Sequence, residues 1–130
     1  MMLRKTILLL LVFLMLCGFG PLYKGIVNLN EADSGRTIEL KCGSFLDIVL
    51  EGNPTTGYIW SVTSKNSPVL PQIKGSEFKP QSKLIGSGGK FTFHFKAAKH
   101  GKTTLTLVYR RPWEKKPPVK TFRLNITVID

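Results

Sequence analysis

The feature that most limits how this chain can fold is a period of two. Apolar and polar residues alternate over Thr37 to Lys41, with Ile38 and Leu40 on one face, and over Phe45 to Leu50, with Leu46, Ile48 and Leu50 on one face. The alternation returns in Phe91 to Phe95, in Thr103 to Tyr109 through Leu105, Leu107 and Tyr109, and in Thr121 to Ile129 through Phe122, Leu124, Ile126 and Val128. Successive strand side chains point to opposite faces, so each segment predicts a strand with one buried side. Ile26 to Leu29 and Tyr58 to Val62 add two shorter strands. Residues 63–83, rich in Ser, Pro, Lys and Gln, read as a meandering connection with one short strand. No stretch carries a sustained 3.6-residue apolar period. The expectation is an all-β, antiparallel β-sandwich of about seven to eight strands. Phe45, Trp60, Phe91, Phe93, Phe95 and Phe122 are expected in its core, each stabilising it by about 1.5–3 kcal/mol.

The first twenty residues read differently. Arg4 and Lys5 precede an unbroken apolar run from Ile7 to Leu16. That run is shorter than the roughly 20 residues that cross a bilayer comfortably. It has the layout of a cleavable signal peptide over residues 1–20, leaving 21–130 as one domain and predicting an exported protein, secreted or periplasmic. Leu14-Met15-Leu16-Cys17 resembles a bacterial lipoprotein acylation site, with a bulky Leu16 where a small residue is expected. A membrane is therefore a partner only if Cys17 is acylated. With Cys17 set aside, Cys42 is the one remaining cysteine, which leaves no internal disulfide and reads as a small buried hydrophobe.

Setting aside Arg4 and Lys5 leaves 17 basic residues against 8 acidic ones, a net charge of +9. Export argues against nucleic acid as the partner of that charge. Most of the lysines are scattered as on solvated sheet faces, but Arg110, Arg111, Lys115, Lys116 and Lys120 crowd one loop.

Catalytic patterns are missing. His94 and His100 stand alone, without a Cys, His or carboxylate at metal-ligand spacing. Gly86-Ser87-Gly88-Gly89-Lys90 lacks the four-residue spacer of a phosphate loop, and Phe91 stands where a magnesium-binding Ser or Thr belongs. Ser87 has neither the strand-to-helix setting nor a base to act as a nucleophile. The chain reads as a non-enzyme without metal or cofactor.

Three loops are chemically unusual. Asn53-Pro54-Thr55-Thr56-Gly57-Tyr58 is stiff, with φ fixed at Pro54 and a turn-permitting Gly57. Leu84-Ile85-Gly86-Ser87-Gly88-Gly89 offers bare backbone to another chain. Tyr109-Arg110-Arg111-Pro112-Trp113-Glu114 offers an exposed tryptophan of the kind that anchors interfaces. In a sandwich, alternate connections share one end, so the three are expected side by side.

Taken in order, Asn53-Pro54-Thr55-Thr56-Gly57-Tyr58-Ile59-Trp60, Gly86-Ser87-Gly88-Gly89 and Arg111-Pro112-Trp113-Glu114 resemble the motifs of the chagasin family of cysteine-peptidase inhibitors. The likeness extends from about Ile26 to Val128. It implies an immunoglobulin-like sandwich, a monomer, whose three loops enter the cleft of papain-like cysteine peptidases. It further implies that Thr55 and Thr56 block the catalytic cysteine and its histidine. Gly86 to Gly89 would pair along one cleft wall, and Arg111 and Trp113 would pack on the other. The alternatives are a surface adhesion or carbohydrate-binding sandwich, and binding to anionic membrane through Arg110 to Lys120. Asn125-Ile126-Thr127 is a glycosylation sequon, relevant only in a eukaryotic secretory pathway.

Overall fold

A computed structural model describes residues 22–130. The signal segment expected over residues 1–20 lies outside the described residues. Nine strands follow in chain order: β1 (Leu22–Tyr23), β2 (Ile26–Asn30), β3 (Thr37–Lys41), β4 (Phe45–Gly52), β5 (Ile59–Val62), β6 (Gln72–Pro80), β7 (Gly89–Lys96), β8 (Gly101–Arg110) and β9 (Lys120–Ile129). They form a five-stranded sheet in the order β1-β3-β9-β8-β5 and a four-stranded sheet in the order β2-β4-β7-β6.

The sandwich is as expected, but its sheets are mixed. β1 with β3, β3 with β9, and β2 with β4 pair in parallel, and the remaining pairs are antiparallel. The parallel pairs arise because the chain changes sheet between β2 and β3, and again between β3 and β4. A strand that returns in the opposite sheet leaves its two neighbours running the same way in the first. Alternation within one strand records burial, not the partner or its direction.

Between the sheets, Leu46, Ile48, Leu50, Phe93 and Phe95 meet Ile38, Leu40, Leu107, Phe122, Leu124, Ile126 and Val128, all buried. Phe45 is a correction to the expected core: it is 37% exposed. The pleat that sends Leu46, Ile48 and Leu50 inward turns Phe45 outward, where the Lys96 ammonium lies 5.7 Å from its ring centroid. The connection read over 63–83 contains the nine-residue edge strand β6. Of its residues only Phe78 is half-buried, so it carries no apolar alternation. Two register shifts against β7 interrupt its pairing, a common way of blunting an edge.

Candidate functional site

The registers set the ends of the molecule. β4, β6 and β8 run toward one end, and β5, β7 and β9 run back from it. The connections 53–58, 81–88 and 111–119 therefore emerge together, as alternate connections of a sandwich do.

The first loop is a short 3-10 turn, Pro54–Thr56, with Asn53 as its N-cap and Pro at the first helical position. The Asn53 side-chain oxygen accepts from Thr55 N–H at 3.1 Å and from the Thr55 hydroxyl at 2.5 Å. The Thr56 hydroxyl donates to the Asn53 carbonyl at 2.6 Å. Both threonines are exposed, yet both hydroxyl protons are spent inside the loop. Gly57 closes the turn at φ 87°, a left-handed conformation that side chains disfavour.

An aromatic base supports this tip. Tyr58 stacks on Tyr109 with ring centroids 5.4 Å apart, and Trp60 packs against Tyr109 in a tilted arrangement at 5.2 Å. The Tyr109 hydroxyl accepts from Asn53 N–H at 2.8 Å, and the Trp60 indole N–H donates to the Glu51 carbonyl at 2.9 Å. Buried Tyr and Trp thus satisfy their polar ends while fixing the base of the loop.

The second loop is fastened to the first by the Asn53 amide, which donates to the Gly86 carbonyl at 2.9 Å. One asparagine therefore caps the first loop and ties in the second. Internally, the Ser82 hydroxyl accepts from Leu84 N–H and Ser87 N–H donates to the Leu84 carbonyl. The glycines here do not all serve as open backbone. Gly86, at φ 84°, is exposed; Ser87 and Gly88 are half-buried. Gly89 lies buried within β7, where a Cβ would meet Pro80 Cα at 2.8 Å. Its role is close packing against β6. The most exposed part of the loop is Leu84 and Ile85, at 78% and 105%. They were not picked out as site residues, although two apolar residues in a Ser/Gly-rich stretch without alternation are a usable signal.

The third loop is held by Arg111. Its Nε donates to the Thr56 carbonyl at 3.0 Å, its Nη1 meets Glu114 Oε1 at 2.9 Å, and its guanidinium lies 4.5 Å from the Tyr58 ring centroid. Arg111 is thus a clamp between loops, committed on three sides. The hydrogen bond from Arg111, followed by one from Lys116, holds the Glu114 carboxyl below its ordinary range; the same Glu114 bond raises Arg111. Glu114 belongs to the third motif, and its part as the partner of Arg111 is seen only in the structure. Pro112 is exposed, and Trp113 is 69% exposed with its indole lying over Gly57. Among the described residues no cluster of His, Cys, Asp or Glu could hold a metal ion.

The ridge is thus continuous: Leu84-Ile85-Gly86, Thr55-Thr56 and Pro112-Trp113 at its crest, with Asn53, Gly57, Tyr58 and Arg111 joining them beneath. It projects; it does not enclose. Comparison with known proteins places it in context. The Chagasin family peptidase inhibitor I42 sequence model matches residues 39–126. Chagasin of Trypanosoma cruzi is 35% identical over 90 residues, covering 66% of this chain and 82% of that protein. Amoebiasin-1 of Entamoeba histolytica is 33% identical over 103 residues, covering 78% of this chain and 99% of its own. The crystal structure of a cysteine protease inhibitor from Entamoeba histolytica matches 85% of this chain and 100% of its own, with TM-score 0.71 and 27% identity.

Proposed function

The chain belongs to the chagasin family of peptidase inhibitors, and from that premise we propose how its own ridge acts. The protein is an inhibitor of papain-like cysteine peptidases and not an enzyme. In our reading Thr55 and Thr56 lie over the catalytic thiolate and its histidine, with the second and third loops along either side.

The observation that carries this reading is the pair of bonds across the ridge, Asn53 to Gly86 and Arg111 to Thr56. A papain-like cleft cuts an extended peptide whose carbonyl is aligned with the thiolate and the oxyanion donors. The Pro54–Thr56 turn is not extended, because Thr56 N–H donates to the Asn53 carbonyl and Gly57 N–H to the Pro54 carbonyl. A loop in that conformation fills the cleft without aligning a scissile bond. The fastened loops also lose little conformational freedom on docking, which favours a tight complex from an ordinary-sized interface.

Titration of papain with the protein tests the reading. Stoichiometric, dilution-reversible loss of activity is expected, and an unaffected peptidase at micromolar inhibitor would reject it. We also propose that residues 1–20 direct export. Mass spectrometry of the mature chain should find an N-terminus after Gly18 or Gly20; an acylated Cys17 would instead identify a membrane-anchored form.

A further inference from the structure

The end of the sandwich opposite the ridge has a different character. There the turns at 23–25, 42–44 and 97–100 are knitted together. Phe45 N–H donates to the Gly25 carbonyl at 2.7 Å, Gly43 N–H to Ala97 at 2.7 Å, Ala97 N–H to Ser44 at 2.8 Å and Cys42 N–H to Ile129 at 2.6 Å. This end presents Lys24, Lys41, Lys96, Lys99 and Lys102, all exposed. Two acidic side chains lie near this end, and each has a partner: Asp130, just past β9, pairs with His100, and Asp47, on the same face of β4 as Phe45, pairs with His94.

Beside Lys96, on the outer face of the four-stranded sheet, sit two apolar side chains facing water, while Lys41 and Lys102 stand at the same end on the outer face of the five-stranded sheet. Ile26, 66% exposed, and Phe45 are register partners at the ends of β2 and β4. Lys96, the register partner of Phe45 on β7, extends its ammonium over the Phe45 ring. Apolar side chains fringed by long cationic ones suit a bilayer interface, where the rings and methyls enter the headgroup boundary and the ammonium groups meet lipid phosphates.

We infer that this lysine-rich end, with Ile26 and Phe45, is a docking surface for an anionic lipid membrane. The basic loop at Arg110 to Lys120 belongs to the ridge end and is not part of it. Membrane docking does not depend on the inhibitory reading. If that reading holds, the docked molecule holds its ridge away from the bilayer, toward peptidases in solution.

Vesicle co-sedimentation of the full chain tests this, with phosphatidylcholine alone and with phosphatidylcholine mixed with phosphatidylserine. Binding should favour the anionic vesicles and fall with added salt. Each lysine near an anionic surface contributes about five-fold. The triple variant Lys96→Gln, Lys99→Gln, Lys102→Gln should therefore lose about one hundred-fold. Ile26→Ser with Phe45→Ser should also weaken binding. Urea denaturation midpoints of every variant should stay close to the parent's, which shows that each is folded, and papain inhibition should be unchanged. Equal binding to both vesicle types, or binding untouched by the lysine changes, would overturn the proposal in favour of the N-terminal segment alone. Retention on heparin with no effect of the Ile26 and Phe45 changes on vesicle binding would overturn it in favour of a soluble polyanion site.

Discussion

The indole of Trp113 rests on the bare α-carbon of Gly57, so close that a Cβ there would come within 2.9 Å of indole Cζ2. The two residues belong to different loops, and each explains the other. Gly57 supplies both the left-handed backbone and the floor on which the tryptophan lies.

Gly57→Ala should therefore disturb two loops at once. The left-handed strain costs about 1 kcal/mol of stability, and Trp113 must shift in addition. Trp113→Ala should weaken papain inhibition by about 2 kcal/mol or more. The double variant should be little worse than the worse single one, since both act on one contact. Inhibition constants for the three variants, with urea denaturation alongside, check this; strict additivity would separate the two residues.

Asn53 has two separable roles. Asn53→Asp keeps an oxygen for the Thr55 N–H but loses the amide that donates to Gly86. Asn53→Ala loses both, including a cap that contributes about 1 kcal/mol. Hydrogen exchange should show faster exchange around Gly86 to Gly88 in both variants, but faster exchange at Thr55 only in Asn53→Ala. Unchanged exchange near Gly86 in Asn53→Asp would show that the bridge to the second loop is unimportant.

The Arg111–Glu114 pair gives a pH dependence of definite sign. Because Glu114 is held below its ordinary carboxylate range by Arg111, its stabilisation is complete above that range and fades as pH falls through the lowered value. Fastening of the third loop should thus survive mild acid and loosen only in stronger acid. Both groups are partly exposed, so the effect is a modest one. Inhibition should hold from neutral pH down to the usual carboxylate range. Glu114→Gln should weaken it across that window and flatten the acid dependence below it. A parent and variant with parallel pH profiles would remove Glu114 from this role.

Two phenylalanines, both expected in the core from the sequence, should differ in what their truncation costs. Phe93, 2% exposed, should cost roughly 3–5 kcal/mol on truncation to Ala. Phe45→Ala, at an outward position beneath Lys96, should cost less than about 1 kcal/mol. Urea denaturation midpoints with unchanged slopes would measure both. Equal losses would mean that Phe45 shares the core.

Strands with one face against the other sheet were legible because burial writes itself into alternate residues. Ile38, Leu46, Phe93, Leu107 and Ile126 are all inside, as their spacing required. Phe45 was misread on residue type, although its own strand's alternation already turned it outward. β6 left no such trace: an edge strand exposed on almost every residue has no pattern to read. Within the site, stiffness at Pro54 and a turn at Gly57 were visible locally, and the sharing of one end by alternate connections of a sandwich foretold that three loops would meet. The partners of Asn53 and Arg111 were not visible, because contacts spanning 33 and 55 positions follow from the register of the sheets. Gly89 carried the same letter as Gly86 but is buried against its neighbouring strand.

The side chains that bind the ridge together point at one another, whereas those of Leu84, Ile85 and Pro112 on its crest face outward and make none of the bonds that fasten it. Leu84, Ile85 and Pro112 could therefore be exchanged with small loss of stability, while the crest kept its shape. Such a division of labour suits a scaffold that must follow changing adversaries: the head can be rewritten residue by residue while the neck stays fixed.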